Sequence, residues 1–204
     1  HTSANHASMI LAGLPVFTGL IAMTWDRKRP AVAWWIGCTI AMAGEALLIF
    51  GHGLDGATGA SIGGDLLVLA SNVFASLGYV AGGRLEREGY SAMGTTFYGV
   101  GLYALVLWPL LFIFEPGTAP LAVPTGIWLS IAYLAVGVTI VGYVLWYWAL
   151  GQGGIARIAL LQFLQPVSGV ILAAILLGEE FGAIFITASG VILLGVWYAL
   201  RANR

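Results

Sequence analysis

The sequence predicts an all-α, polytopic membrane protein built as a bundle of transmembrane helices. Its 204 residues are 60% hydrophobic and only 8% charged, whereas a soluble domain carries about 25% charged residues. The apolar residues form seven runs, each of about 20 residues, which is the length that a helix needs to cross about 30 Å of hydrocarbon. All eight Lys and Arg residues stand at the ends of these runs.

The runs predict helices at residues 4–24, 31–50, 64–84, 93–114, 125–150, 155–177 and 183–201. The first run is followed by a basic turn, residues 26–30. Residues 51–63 contain five glycines and form the one linker-like stretch. We therefore divide the chain into residues 1–52, an inter-repeat loop at 53–62, and residues 63–204.

The basic residues give the chain an orientation. The connections on one predicted side hold every Lys and Arg, namely Arg27, Lys28, Arg29, Arg84, Arg87, Arg157, Arg201 and Arg204. The alternate connections, residues 51–63, 115–124 and 178–182, hold none. Because cytoplasmic loops carry the excess of Lys and Arg, we predict a multi-pass protein of the inner membrane with a cytoplasmic C-terminus.

The chain also contains an internal repeat. A shift of residues 4–50 by 151 positions places Pro15 on Pro166 and Gly44 on Gly195. The basic turn of the first copy, residues 26–30, and the acidic turn of the second, residues 178–180, are predicted on opposite sides of the membrane. The copies are therefore inverted, as in many secondary transporters. We predict two inverted five-helix repeats, the first represented only by its last two helices, with three more expected upstream.

Composition and absent motifs exclude several functions. The net charge of −1 argues against nucleic acid, which calls for a basic surface. The sequence has no paired-His, Cys-x-x-Cys or phosphate-loop motif, so we predict no enzyme, no metal site and no cofactor. The expected partners are the lipid bilayer and a small-molecule substrate. A monomer is slightly favoured.

Two residues are candidates for coupling. Glu45 is the one ionisable side chain well inside a predicted helix, and such residues usually face a cavity or a partner because a charge in the membrane is costly. It could take up a proton or bind a substrate amine; the alternative is a carboxyl near the outer interface. His6 lies at the outer lip, where His can titrate near neutral pH or serve as an interfacial polar residue. Next to Glu45, the small residues Gly37, Ala41 and Gly44 suit close helix packing.

Three sets of residues are candidates for a substrate pocket. Pro15 and Pro166 each remove a backbone donor within a predicted helix, so they either bend or gate the pocket helices or make simple packing kinks. Gln162 and Gln165 share one helix face, and their amides must bind a substrate or a neighbouring helix. The remaining candidates are polar or aromatic: Asn72, Tyr79, Tyr98, Trp108, Tyr133, Tyr143 and Trp146. Aromatic rings suit apolar or aromatic amino acids; the alternative is helix packing or contact with lipid.

Three motifs are characteristic: GYVLWYWALGQGG at residues 142–154, LQFLQPV at 161–167 and LLGEE at 176–180. They resemble the EamA type of the drug/metabolite transporter superfamily, and residues 2–17 resemble the fourth helix of that pattern. The resemblance covers essentially the whole chain, as helices four to ten of a ten-helix permease. The chain departs from the family pattern at Asp26 and Arg27, where Gly-Glu is common, at Gln165, where Glu often precedes Pro, and at Glu45, where an aliphatic residue is usual.

The resemblance implies a permease that exports amino acids, aromatic ones among them, or other small metabolites. Together with the inverted repeat it predicts alternating access, in which two halves rock about a central cavity. The alternative hypothesis is a non-transporting membrane subunit or sensor that needs a partner chain.

Overall fold

A computed structural model describes residues 7, 10–50, 62–114, 124–177 and 182–202. The helices are α1 Leu14–Trp25, α2 Val32–Phe50, α3 Ile62–Arg87, α4 Ala92–Phe114, α5 Thr125–Ala132, α6 Tyr143–Gly153, α7 Ile155–Ala159, α8 Gln165–Leu177 and α9 Ala183–Ala202. A π-helical stretch, Tyr133–Gly142, joins α5 to α6, and a 3₁₀ stretch, Leu160–Leu164, joins α7 to α8. No strand occurs in these ranges.

Four of the described helices are long and apolar enough to cross a membrane: Ile62–Arg87, Ala92–Leu110, Gly126–Gly153 and Ala183–Arg201. Two shorter apolar helices are Leu14–Trp25 and Val32–Leu48. The prediction of an all-α, multi-pass membrane protein is confirmed. His6 and residues 53–61 of the predicted inter-repeat loop lie outside the described residues.

The chain forms two compact units, His1–Val80 with Gly154–Arg204, and Ala81–Gly153. The first unit is built around α2 and α9, which run antiparallel. Gly37 faces Ala199 and Gly44 faces Ile192, so closely that a Cβ on Gly37 would lie 2.5 Å from the backbone nitrogen of Ala199. The packing role predicted for the small residues near Glu45 is therefore present.

The core of the first unit lies beside this glycine contact. Its largest fully buried side chains are Trp34 of α2 and Phe163 of the 3₁₀ stretch. Ile192 and Val196 of α9 pack into the same cluster. Burial of large apolar side chains stabilises a fold. The cluster therefore holds the 3₁₀ stretch against α2 and α9.

The second unit contains α4, α5, the π-helical stretch and α6, together with the end of α3. Gly82 of α3 receives the ring of Tyr147, which also stacks on Tyr143 with ring centroids 6.1 Å apart. The Arg87 guanidinium donates to the carbonyl of Gly151 at 3.4 Å. Each of these contacts joins α3 to α6 or lies within α6.

Both prolines of the predicted repeat are the second residue of a helical segment, Pro15 in α1 and Pro166 in α8. We predicted Pro15 inside a helix over 4–24, but a turn at Ala12 and Gly13 interrupts that helix just before it. The reason is physical: a proline has no N–H to donate and is tolerated in the first turn of a helix, where no donor is needed.

Candidate functional site

The first unit contains a cavity of about 460 Å³ at the two proline-containing segments. Small-molecule sites commonly have volumes of about 300–1,000 Å³. The cavity is lined by Leu11, Ala12, Leu14, Pro15, Glu45, Leu48, Tyr79, Gln162, Gln165 and Pro166. Six of the residues singled out from the sequence thus meet at one place: Pro15, Pro166, Gln162, Gln165, Glu45 and Tyr79.

The two proline segments line the cavity with corresponding positions. Leu11 and Leu14 lie four and one residues before Pro15, and Gln162 and Gln165 lie four and one residues before Pro166. One wall therefore presents leucines where the other presents amides. Sequence reasoning missed Leu11 and Leu14, although the 151-residue repeat that aligned the prolines also aligns these leucines with the glutamines.

Each proline also changes the backbone beside the cavity. Pro15 has no N–H to donate to the carbonyl of Leu11, and Pro166 has none for the carbonyl of Gln162, which accepts instead from the N–H of Gln165. Both of these residues line the cavity. The helical hydrogen-bond pattern therefore changes at both prolines, with a turn before Pro15 and a 3₁₀ stretch before Pro166.

Glu45 is buried, with 5% of its side chain exposed. It follows Gly44, which packs against Ile192 of α9, so the α2–α9 contact holds this part of α2 in place. One buried carboxyl oxygen of Glu45 and the buried side-chain oxygen of Gln162 have no hydrogen-bond partner. No Lys, Arg or His is among the described residues that line the cavity.

Asn72 does not line the cavity but fastens the segment that does. Its side-chain amide donates to the carbonyl of Ile10, and the hydroxyl of Ser76, one turn on, lies 3.4 Å from the carbonyl of Leu14. Thr18 of α1 completes the contact, with its hydroxyl 3.1 Å from that of Ser76. On α3, therefore, Asn72 and Ser76 hold the segment around Pro15, and Tyr79 lines the cavity.

The other aromatic candidates all belong to the second unit. Tyr98, Trp108 and Tyr133 are largely exposed, at 78%, 63% and 69%. Tyr143 stacks on Tyr147, and Trp146 is half-buried in α6. Their contact with a substrate stays a prediction, as does the role of His6.

A cavity between two proline-containing helical segments of a chain with several membrane-spanning helices is typical of a membrane transport protein. Residues 62–201 match the family described as "EamA-like transporter family". The chain belongs to this family. Membership indicates a transporter of small molecules rather than an enzyme.

Similar proteins agree with this assignment. The uncharacterized transporter YdeK of Bacillus subtilis is 34% identical over 207 residues, covering 98% of this chain and 68% of that protein. A probable terminal-alkyne amino-acid exporter of Streptantibioticus cattleyicolor is 27% identical over 181 residues, 88% of this chain and 58% of that protein. A probable amino-acid metabolite efflux pump of Salmonella typhimurium is 39% identical over 79 residues, 37% of this chain and 26% of that protein.

A solved crystal structure matches the fold with a TM-score of 0.80 and 23% identity, covering 99% of this chain and 69% of the other. The chain spans about two thirds of the length of these relatives: 68% of YdeK and 62% of a second uncharacterized transporter of Bacillus subtilis, YetK.

Proposed function

We propose that this protein is a secondary transporter that moves small metabolites, amino acids above all, across the inner membrane by alternating access. The observation that carries the proposal is the cavity of about 460 Å³ lined by two proline-containing segments. Broken helices of this kind form binding sites in many secondary transporters. The names of two relatives, an amino-acid exporter and an amino-acid metabolite efflux pump, support amino acids as the solutes.

The proposal includes two inverted repeats, with residues 1–52 as the end of the first and 63–204 as the second. The antiparallel contact of α2 with α9 supports it. A Cβ on Gly44 would meet Ile192 and Ala188, and one on Gly195 would meet Ala41 and Gly37. The 151-residue shift pairs Gly44 with Gly195, Ala41 with Ile192 and Gly37 with Ala188. Each contact of Gly44 therefore has a counterpart among the contacts of Gly195. A two-fold axis in the membrane plane would produce this exchange.

The test is flux of radiolabelled amino acids in proteoliposomes, without ATP. Two proteins are compared at equal amounts of folded protein: this 204-residue chain, and a version extended upstream by its native sequence. In the extended version we expect gradient-driven flux that is saturable and is reduced by competing unlabelled solute. If neither form moves any solute while both are folded, the transporter proposal is wrong and a membrane subunit that needs a partner chain takes its place.

A further inference from the structure

The cavity contains a carboxyl group whose charge nothing in the described lining offsets. Only 5% of the Glu45 side chain is exposed. One of its oxygens has no hydrogen-bond partner, and no basic side chain is among the described lining residues. A buried carboxylate is strongly disfavoured without a positive partner. The cavity is therefore suited to a ligand that brings a positive charge.

The groups around Glu45 match the hydrogen bonding of an ammonium group. A primary ammonium has three donors and no acceptor. The cavity supplies acceptors: the Glu45 carboxyl and the partnerless side-chain oxygen of Gln162. A secondary or quaternary amine would leave more of these oxygens unsatisfied, which is costly for buried polar groups.

The rest of the lining suits an apolar body without a negative charge. Leu11, Leu14 and Leu48 line the cavity together with both prolines. A ligand carboxylate would find no Lys, Arg or His in the described lining and would stand beside the carboxyl of Glu45. Two neighbouring carboxyl groups cannot both ionise without cost, so the cavity disfavours zwitterions and disfavours anions still more strongly.

We propose that this cavity binds the protonated amino group of a primary amine with an apolar body, and that the ammonium is held by Glu45 and Gln162. The inference rests on the proposed transport function and narrows its solute class: an amino acid binds through its ammonium group, and a primary amine without a carboxylate binds better. It also ranks ligands of equal ring size: a monocation binds better than a zwitterion, and a zwitterion better than an anion.

Isothermal titration calorimetry on the purified complete protein in detergent tests this ranking. The probes are phenethylamine, phenylalanine and 3-phenylpropionate, which share a phenyl ring and differ in charge. We expect phenethylamine to bind most tightly and 3-phenylpropionate to show no binding. The ranking needs no variant, so a wild-type protein that prefers phenylalanine or 3-phenylpropionate overturns the proposal.

Glu45→Gln keeps the shape of the side chain and removes the charge. We expect it to weaken phenethylamine binding about tenfold to a hundredfold, because a charge-assisted hydrogen bond is lost. The matched control is Glu88→Gln, since Glu88 is exposed and outside the cavity lining; this variant should bind phenethylamine as tightly as wild type.

The double variant Glu45→Gln with Gln162→Glu returns a carboxyl to the cavity and should restore part of the affinity for phenethylamine. Unchanged binding by Glu45→Gln overturns the proposal.

Two further arms separate the explanations. Titrations in NaCl and in choline chloride distinguish an amine site from a sodium site: stabilisation by Na⁺ without phenethylamine binding contradicts the proposal. Flux is measured on the same preparations. Amino-acid flux that is indifferent to Glu45→Gln, with no amine binding, overturns the amine site and leaves the transporter standing. Glu45-dependent amine binding without any flux supports the amine site and contradicts transport.

Discussion

In the proposed binding site, single polar atoms decide what the cavity of the first unit can hold. Glu45, Gln162 and Gln165 all reach it, and two of the three carry an oxygen with no hydrogen-bond partner. In a membrane protein, polar groups without partners are expensive. Such groups are retained where a ligand satisfies them, which is why individual substitutions here should alter function more than folding.

Gln165→Leu should lower solute flux in proteoliposomes at least about tenfold, the effect of losing one or two hydrogen bonds to a bound solute. Gln165 lines the cavity and is exposed to it rather than packed in the core, so the amount of folded protein should not change. Gln152→Leu is the matched control, because Gln152 is exposed near the end of α6 and outside the cavity lining. Normal flux by Gln165→Leu would contradict the role of Gln165 in the pocket.

Asn72→Leu should lower the free energy of unfolding by about 1 kcal/mol, because it removes the buried amide that donates to the carbonyl of Ile10. Ser71→Ala on the same helix is the control. The Ser71 hydroxyl is exposed and bonds within its own helix at 2.7 Å, and its loss should change stability by less than about 0.5 kcal/mol. A thermal denaturation series in detergent measures both; equal midpoints for the two variants would contradict the fastening role of Asn72.

At the scale of whole elements, the contact between α2 and α9 carries the first unit. Gly195→Ala places a Cβ against the backbone of Ala41 and Gly37, which must separate the two helices. We expect a loss of about 1–3 kcal/mol, as for other overpacked interfaces. Gly190→Ala is the control on the same helix: a Cβ there meets nothing within 4 Å, and alanine favours the helix. The midpoint of thermal unfolding should fall for the first variant and hold or rise for the second.

The sequence predicted elements better than the contacts between them. Apolar runs predicted the helices because length and hydropathy are local properties. The small residues Gly37, Ala41 and Gly44 predicted a close helix contact. The turn at Ala12 and Gly13 was missed because only the proline, not the residues before it, carries a strong local signal. The π-helical stretch Tyr133–Gly142 was also missed, since a helical-wheel analysis assumes 3.6 residues a turn throughout.

The candidate site shows a related limit. The sequence singled out Glu45, Gln162, Gln165 and both prolines because polar or helix-breaking residues are conspicuous in an apolar chain. It gave no reason to choose Leu11, Leu14 or Leu48, which look like any other leucine in a transmembrane segment. It also made Asn72 a candidate for the substrate pocket, whereas the Asn72 side chain donates to the carbonyl of Ile10. The partner of an amide depends on three-dimensional packing, which the sequence does not show.

At the scale of the whole molecule, the distribution of basic residues predicts topology. The chain has a single cysteine, Cys38, so Cys38→Ala provides a cysteine-free background. We expect a cysteine introduced at residue 55 or 119 to react with a membrane-impermeant maleimide in intact cells. One introduced at Lys28 or Arg87 should react only after permeabilisation, since Lys and Arg mark the cytoplasmic side. Labelling of position 28 or 87 in intact cells would reverse the proposed orientation.

The paired walls of the cavity also bear on how such a site could change in evolution. A duplicated segment starts with two identical walls, and a ligand between identical walls has no preferred end. Here the residues four and one before each proline differ, leucine on one side and glutamine on the other. That difference gives the site a head and a tail. A descendant could reverse or erase this polarity through a few codon changes at those positions, without rebuilding any helix, so selectivity in this fold can diverge faster than architecture.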